Sequence, residues 1–302
     1  MHVAACIRVS IVGGGSYPGL HCHRLISAVE ELQLTDEEEV NGKSWASQRS
    51  VFYVSTKRSA SVRMSSKPFK IFVGYDPREE DAYQVCRHSI LKRSSIPVEI
   101  IPIKQADLRE KGFYWRERGQ LESTEFSFSR FLTPFLANYE GWAMFVDCDF
   151  LYLADIKELR DLIDDKYAVM CVQHDYAPKE STKMDGAVQT VYPRKNWSSM
   201  VLYNCAHPKN RVLNPDTVNT QTGAFLHRFQ WLEDHEIGSV PFVWNFLEGH
   251  NKVDDKDPTT SPKAIHYTRG GPWFEAWKNC EFAQLWLDEK EDYDLQAKKV
   301  TN

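Results

Sequence analysis

The hydrophobic positions of the chain fall into short runs separated by polar stretches, and the runs become regular from Phe69 onward. "FKIFVGYD" is an apolar, β-branched run ending in a polar turn. The following "PREEDAYQVCRHSILKRSS" carries Pro77 where a first helical turn tolerates proline, with acids early and bases late, so the pair reads as a strand feeding a helix. "VEIIPI" (Val98 to Ile103) predicts a second strand, "FSRFLTPFLANY" a helix that Pro134 would kink, and "WAMFVDCDFLYL" a third strand. "DIKELRDLI" predicts a helix capped by Asp155, and "YAVMCVQ" (Tyr167 to Gln173) another strand. Such alternation predicts an α/β fold, a mostly parallel sheet flanked by helices, whose ligands bind at the carboxyl ends of the strands. Asp76, Asp147 and Asp149 all fall at such ends.

Upstream of Lys67 the texture differs. Residues 1–66 hold "IVGGGSYPG", an acidic knot at Asp36 to Glu39 and the polar stretch "STKRSASVRMSSK", with one helix expected around Leu25 to Leu34. A Rossmann fingerprint needs a helix straight after its glycines, and Pro18 and Gly19 stand where that helix would begin, so a loop or tail is the better reading. The expected plan is a poorly ordered extension over 1–66, an α/β domain over 67–290 and a C-terminal tail over 291–302.

At 302 residues, with 42% hydrophobic and 13% aromatic residues, the chain is long enough to bury a full core. Its formal net charge of -5 gives no electrostatic reason to expect a nucleic-acid partner. No stretch approaches the roughly 20 apolar residues that span a bilayer, and no basic segment followed by a long apolar one opens the chain, so neither an anchor nor a cleaved signal is expected. The seven cysteines are scattered and never form a CxxC pair, which argues against a disulfide framework or a zinc site and for a cytoplasmic location.

The chemistry concentrates in "MFVDCDFLYL". Strand residues two apart share a face, so Asp147 and Asp149 point the same way, and two neighbouring carboxylates at the edge of a core call for a shared cation. Hard oxygen ligands of this kind suit magnesium or manganese. The competing reading makes them turn-capping aspartates bonded to backbone N–H groups. A second motif, "AIHYTRGGPWF", joins a short strand (Ala264 to Thr268) to a glycine pair. There His266 is a further metal ligand or a structural histidine, and Arg269 with the amides of Gly270 and Gly271 either grips a diphosphate or forms a plain turn.

Together these motifs resemble the nucleotide-diphospho-sugar glycosyltransferases of the GT-A (Rossmann-like) fold, closest to the glycogenin-like and lipopolysaccharide galactosyltransferase group, glycosyltransferase family eight. The resemblance covers about Lys70 to Leu287. It implies that Tyr75 and Asp76, in "FVGYDPREEDAYQVCRHSILKRS", hold the base and ribose, and that Arg130, in "SFSRFLTPFL", is the arginine preceding the D-x-D strand. "VDCDFLYLADIKEL" is similar to the family's metal motif, which implies Asp147 and Asp149 as ligands with Cys148 between them at the nucleotide, and "HYTRGGPW" puts His266 at the third ligand position. The departures are specific. The segment from His266 to Pro272 is one residue shorter than the family's, Gly271 stands where the family has a diphosphate-binding lysine, leaving Arg269 to compensate, and "NWSSMVLYN" matches the N-S-G signature loosely. No D-Q-D motif is present, so Asp234, Glu233 and Gln221 are the candidates for the acceptor-side polar group, Asp234 first.

The resemblance implies a retaining hexosyltransferase that uses Mn2+ or Mg2+, a nucleotide-sugar donor, a UDP-sugar by first expectation, and a hydroxyl acceptor on a glycan, lipid or protein. Trp197, Trp244 and Trp273 are candidate sugar platforms, or core residues. Two rivals are a haloacid-dehalogenase-like phosphohydrolase, which also carries an aspartate pair after an apolar strand, and a non-catalytic sugar-nucleotide or carbohydrate-binding module.

Overall fold

The computed structural model describes residues 67–119, 122–175 and 193–301. They belong to one compact unit, Arg63–Asn302. The expected extension over 1–66 lies outside the described residues.

Six strands form the main sheet: β1 (Phe69–Gly74), β2 (Val98–Ile103), β3 (Trp142–Val146), β5 (Val169–Cys171), β6 (Met200–Asn204) and β7 (Ile237–Ser239), in the order β2-β1-β3-β6-β5-β7. β1 runs parallel to β2 and β3, β5 runs parallel to β7, and β6 is antiparallel to both β3 and β5. The sheet is therefore mostly parallel with one reversed strand, and the carboxyl ends of β1, β3, β5 and β7 share an edge with the start of β6. β3 and β6 are almost wholly buried, the condition under which a strand tolerates a continuous apolar run such as "WAMFV".

β1 passes into α1 (Glu80–Arg93) through a short 3-10 turn, Pro77–Glu79, capped by the Asp76 side chain, which accepts from the Arg78 N–H at 3.0 Å. The shorter helices are α2 (Gln105–Glu110), α3 (Thr133–Leu136), α4 (Ile156–Arg160), α5 (Pro215–Thr220) and α6 (Gly223–His227). Pro134 starts α3 rather than kinking a longer helix, because proline lacks only an N–H that a first turn leaves unbonded. Asp155 caps α4 by accepting from the Lys157 N–H. The C-terminal helix α7 (Ala283–Thr301) continues through the boundary expected at 290. It docks on α1 through Trp286 and buried Glu289, so residues 291–301 extend a packed helix instead of forming a tail.

The principal departure from the pattern lies in "WAMFVDCDFLYL". It is two strands, with β3 ending at Val146 and β4 (Phe150–Tyr152) joining a second sheet with β8 (Phe246–Leu247) and β9 (Ala264–His266), in the order β4-β9-β8. The chain changes sheet at Asp147–Asp149. Phe150 pairs with His266 across the antiparallel β4–β9 ladder, which carries the C-terminal motif to the aspartates. None of the described helices is long and apolar enough to cross a membrane.

Candidate active site

Where the main sheet ends and the small one begins, Asp147, Asp149 and His266 converge, with one ligand atom from each within 4.8 Å of the others. Asp147 is held to the sheet by its N–H, which donates to the Ser199 carbonyl at 2.8 Å, and the Tyr267 N–H donates to the Asp149 carbonyl at 3.0 Å. Local backbone bonds on both strands thus point the two carboxylates and the imidazole at one spot.

Arg130 comes from a 3-10 turn, Ser129–Leu132, and is buried between the rings of Phe126 and Phe145. It donates to the carbonyls of Phe126 (3.2 Å) and Ser198 (3.0 Å). Its Nη1 lies 2.7 Å from Asp147 Oδ1, an ion pair between two largely buried groups. Burial pushes the Asp147 carboxyl up to about 6; Arg130 opposes that shift, and neighbouring Asp149 adds to it. Two oxygen donors and an imidazole around an anionic, partly desolvated point suit a divalent cation of the manganese or magnesium kind.

One residue absent from the sequence reading joins this group. Glu79 is 2% exposed, its Oε1 accepts no hydrogen bond, and burial together with Asp149, Asp76 and Asp147 pushes its carboxyl well above the usual range. It reads in sequence as one of several first-turn acids. A second is Asn245, the lone polar residue of "FVWNFL", buried with Oδ1 2.9 Å from His266 Nδ1. A third is His174, just beyond β5, whose imidazole is pushed down to about 3, by burial first and by His266 second.

Other expected residues take different places. Asp76 is completely buried and already engaged: Arg78 forks onto it (Nε to Oδ1 3.0 Å, Nη2 to Oδ2 2.8 Å), and the Glu125 N–H donates to Oδ2 at 3.1 Å. Burial alone would raise its carboxyl, but these bonds outweigh it and hold the group low. Tyr75 bonds its hydroxyl to Glu80, with the Lys104 ammonium 4.4 Å from its ring centre. Cys148 is buried in the hydrophobic core between its aspartate neighbours, and burial pushes its thiol up. Its backbone alone remains for a ligand.

Arg269 forks onto buried Glu248 (Nε to Oε2 3.1 Å, Nη2 to Oε1 2.7 Å). The two lie with Trp277 and Lys278 along a polar cleft of about 490 Å3 that neither Asp147, Asp149 nor His266 lines. The glycine pair has a packing reason: a Cβ on Gly270, at φ 119°, would meet the Trp277 ring at 2.6 Å, and one on Gly271 would meet Trp273 at 2.0 Å. The Gly270 N–H donates to the Tyr267 carbonyl at 2.8 Å.

Asp234 precedes β7, at the end of the sheet opposite the aspartates, and its side chain is 93% exposed and paired with Arg194. It is therefore not brought to this site; a parallel strand has only one carboxyl end, and Asp234 with Glu233 stands at the other. Gln221 is exposed, and its carbonyl accepts from Arg116. Trp244 is a core residue, whereas Trp197 and Trp273 are partly buried.

No protein-family model matches the chain. Among solved structures, the bifunctional glycosyltransferase WbbM superposes with a TM-score of 0.51 at 15% identity, over 74% of this chain and 49% of that one. Glycosyltransferase GlyE of Streptococcus pneumoniae gives 0.51 at 13% identity, over 78% and 63%. The chain thus spans 49% and 63% of these proteins' lengths, and the likeness establishes the GT-A fold. A curated relative, Protein CDI of Arabidopsis thaliana, is 82% identical over 233 residues, covering 77% of this chain and 90% of the relative. Identity of that extent makes this chain a member of the Protein CDI family, built on the GT-A fold of glycosyltransferases.

Proposed function

We propose that the protein is a metal-dependent glycosyltransferase that moves a sugar from a nucleotide-diphospho-sugar, a UDP-sugar first, to an acceptor hydroxyl. The observation that carries this reading is the convergence of Asp147, Asp149 and His266 at the carboxyl edge of a GT-A sheet. Asp147, Asp149 and His266 would hold the cation, and Mn2+ is the first choice. When bound, the cation supplies positive charge against the negative charge that grows on a departing diphosphate.

The chain's own residues do the rest. Arg130, clamped by two carbonyls and two aromatic rings, places a fixed guanidinium beside Asp147. A preorganised cation needs no reorientation as charge develops. Asp76 and Tyr75, tied to Arg78 and Glu80, shape the turn beside β1 where the nucleoside would lie. The free, mostly buried cysteines among the described residues agree with a reducing, cytoplasmic setting.

Thermal-shift measurements with nucleoside diphosphates, with and without Mn2+, test the reading. One nucleotide should raise the melting temperature in the presence of the metal, and Asp149→Ala should abolish the rise. Stabilisation that persists in a chelator would sink it, and release of phosphate from a simple phosphoester without sugar-nucleotide turnover would favour the phosphohydrolase.

A further inference from the structure

His266 is the end of a hydrogen-bond chain whose direction follows from heavy-atom positions. Ser199 Oγ lies 2.7 Å from the Asn196 carbonyl oxygen, a separation at which two oxygens need a proton between them. A carbonyl only accepts, so the single hydroxyl proton of Ser199 is committed there. Ser199 Oγ must then accept from the Asn245 side chain, 2.9 Å away, and the Asn245 atom facing it is the amide nitrogen. The amide oxygen consequently faces His266 Nδ1 at 2.9 Å and can only accept, so Nδ1 carries the proton. In the neutral ring, Nε2 is left with a lone pair, 3.3 Å from Asp149 Oδ2.

The ring cannot easily turn away. Phe150 stacks on it at 4.4 Å and 20°, and His266 is 2% exposed. Asn196, the start of the chain, sits at φ 65°, a left-handed conformation that asparagine tolerates, and its carbonyl also accepts the Ser199 N–H at 3.3 Å. Ser199 lies immediately before β6, and its carbonyl holds the Asp147 N–H. One serine therefore supports both a carboxylate and the imidazole of the site.

We infer that the Asn196 carbonyl, Ser199 and Asn245 form a positioning relay that fixes His266 as its Nδ1–H tautomer and aims the Nε2 lone pair at the space shared with Asp147 and Asp149. The inference rests on the proposed metal reading for its purpose, but the tautomer itself exists without metal. Second partners of this kind usually change metal affinity by about 10–100-fold when removed.

The test is nitrogen NMR of the histidine side chains in the metal-free, full-length protein, with the pH raised until the His266 nitrogens themselves report a neutral ring. A His266→Gln sample identifies the His266 signals. The wild type should show the Nδ1–H form; Ser199→Ala and Asn245→Ala should shift His266 toward the other tautomer, and Asn245→Asp, whose carboxylate still accepts at Nδ1, should restore it. Mn2+ affinity, read by electron paramagnetic resonance, should fall about 10–100-fold in the two alanine variants and recover in Asn245→Asp. Should Asn245→Ala fail to fold, Ser199→Ala, a smaller change, decides alone. An Nε2–H ring in the wild type, or an unchanged tautomer in Ser199→Ala, overturns the relay. A wild type that binds no Mn2+ yet shows the expected tautomers overturns the metal reading and upholds the relay.

Discussion

Among the described residues, two places bring a histidine and two carboxylates within 4.8 Å: Asp147, Asp149 and His266 at the sheet edge, and His88, Glu289 and Asp292 between α1 and α7. Their ligand types are the same. The second group is already met by side-chain cations, since Arg93 meets Glu289 at 2.7 Å and Lys92 meets Asp292 at 2.6 Å. It is a clamp that docks one helix on another. At the sheet edge Arg130 is fixed beside Asp147, yet burial still pushes that carboxyl up to about 6, and the buried Glu79 adds a further acid beside the pair. A histidine with two acids is thus no metal signature by itself; what counts is whether lysines and arginines already compensate the charge.

The largest effect expected from this contrast is on metal binding. Asp149→Ala should weaken Mn2+ by more than the roughly 100-fold upper range for outer partners, and Asp292→Asn should leave it within twofold, both read by calorimetric titration. Metal affinity that fell equally in the two variants would erase the distinction. Stability should respond the other way round. Glu289→Ala leaves Arg93 and Lys92 facing a buried gap and should lower unfolding free energy by about 2–4 kcal/mol, toward the low end because both cations are partly exposed. Urea denaturation checks it.

A smaller test uses pH. Burial raises Asp147 above its unfolded range of about 4, so the metal-free fold favours the protonated carboxyl, and ionising it costs stability as pH rises toward about 6. A cation binds the ionised form. Mn2+-dependent stabilisation should therefore grow as pH rises through about 6 and fade below it, whereas salt rather than metal should tune the α1–α7 clamp. The smallest effect is expected from Gly271→Ala: a Cβ at 2.0 Å from Trp273 should cost about 1–3 kcal/mol with Mn2+ affinity unchanged, because the glycine serves packing.

Much of this was legible along the chain. β1, β2 and β9 follow their apolar runs, Asp155 caps its helix, and Asp147 and Asp149 do converge, but from the turn between β3 and β4 rather than from one face of a single strand. Their pairing with His266 was legible through family resemblance, since more than a hundred residues separate them. Glu79 was not, because an acid in a first helical turn looks like a response to the helix dipole. Asn245 left a trace, a single amide in an apolar run, but its partner could not be named.

The sequence alone therefore determined the alternation of elements and the carboxylates at strand ends, since periodicity and local turn chemistry act within a few residues. Tertiary structure decided which charges are compensated. It turned Arg269 onto Glu248 and Arg78 onto Asp76, left Asp234 at the opposite end of the sheet, and extended α7 over α1. The reason is physical: a charge's partner and its burial depend on what packs against it in space, and neighbours along the chain do not carry that information.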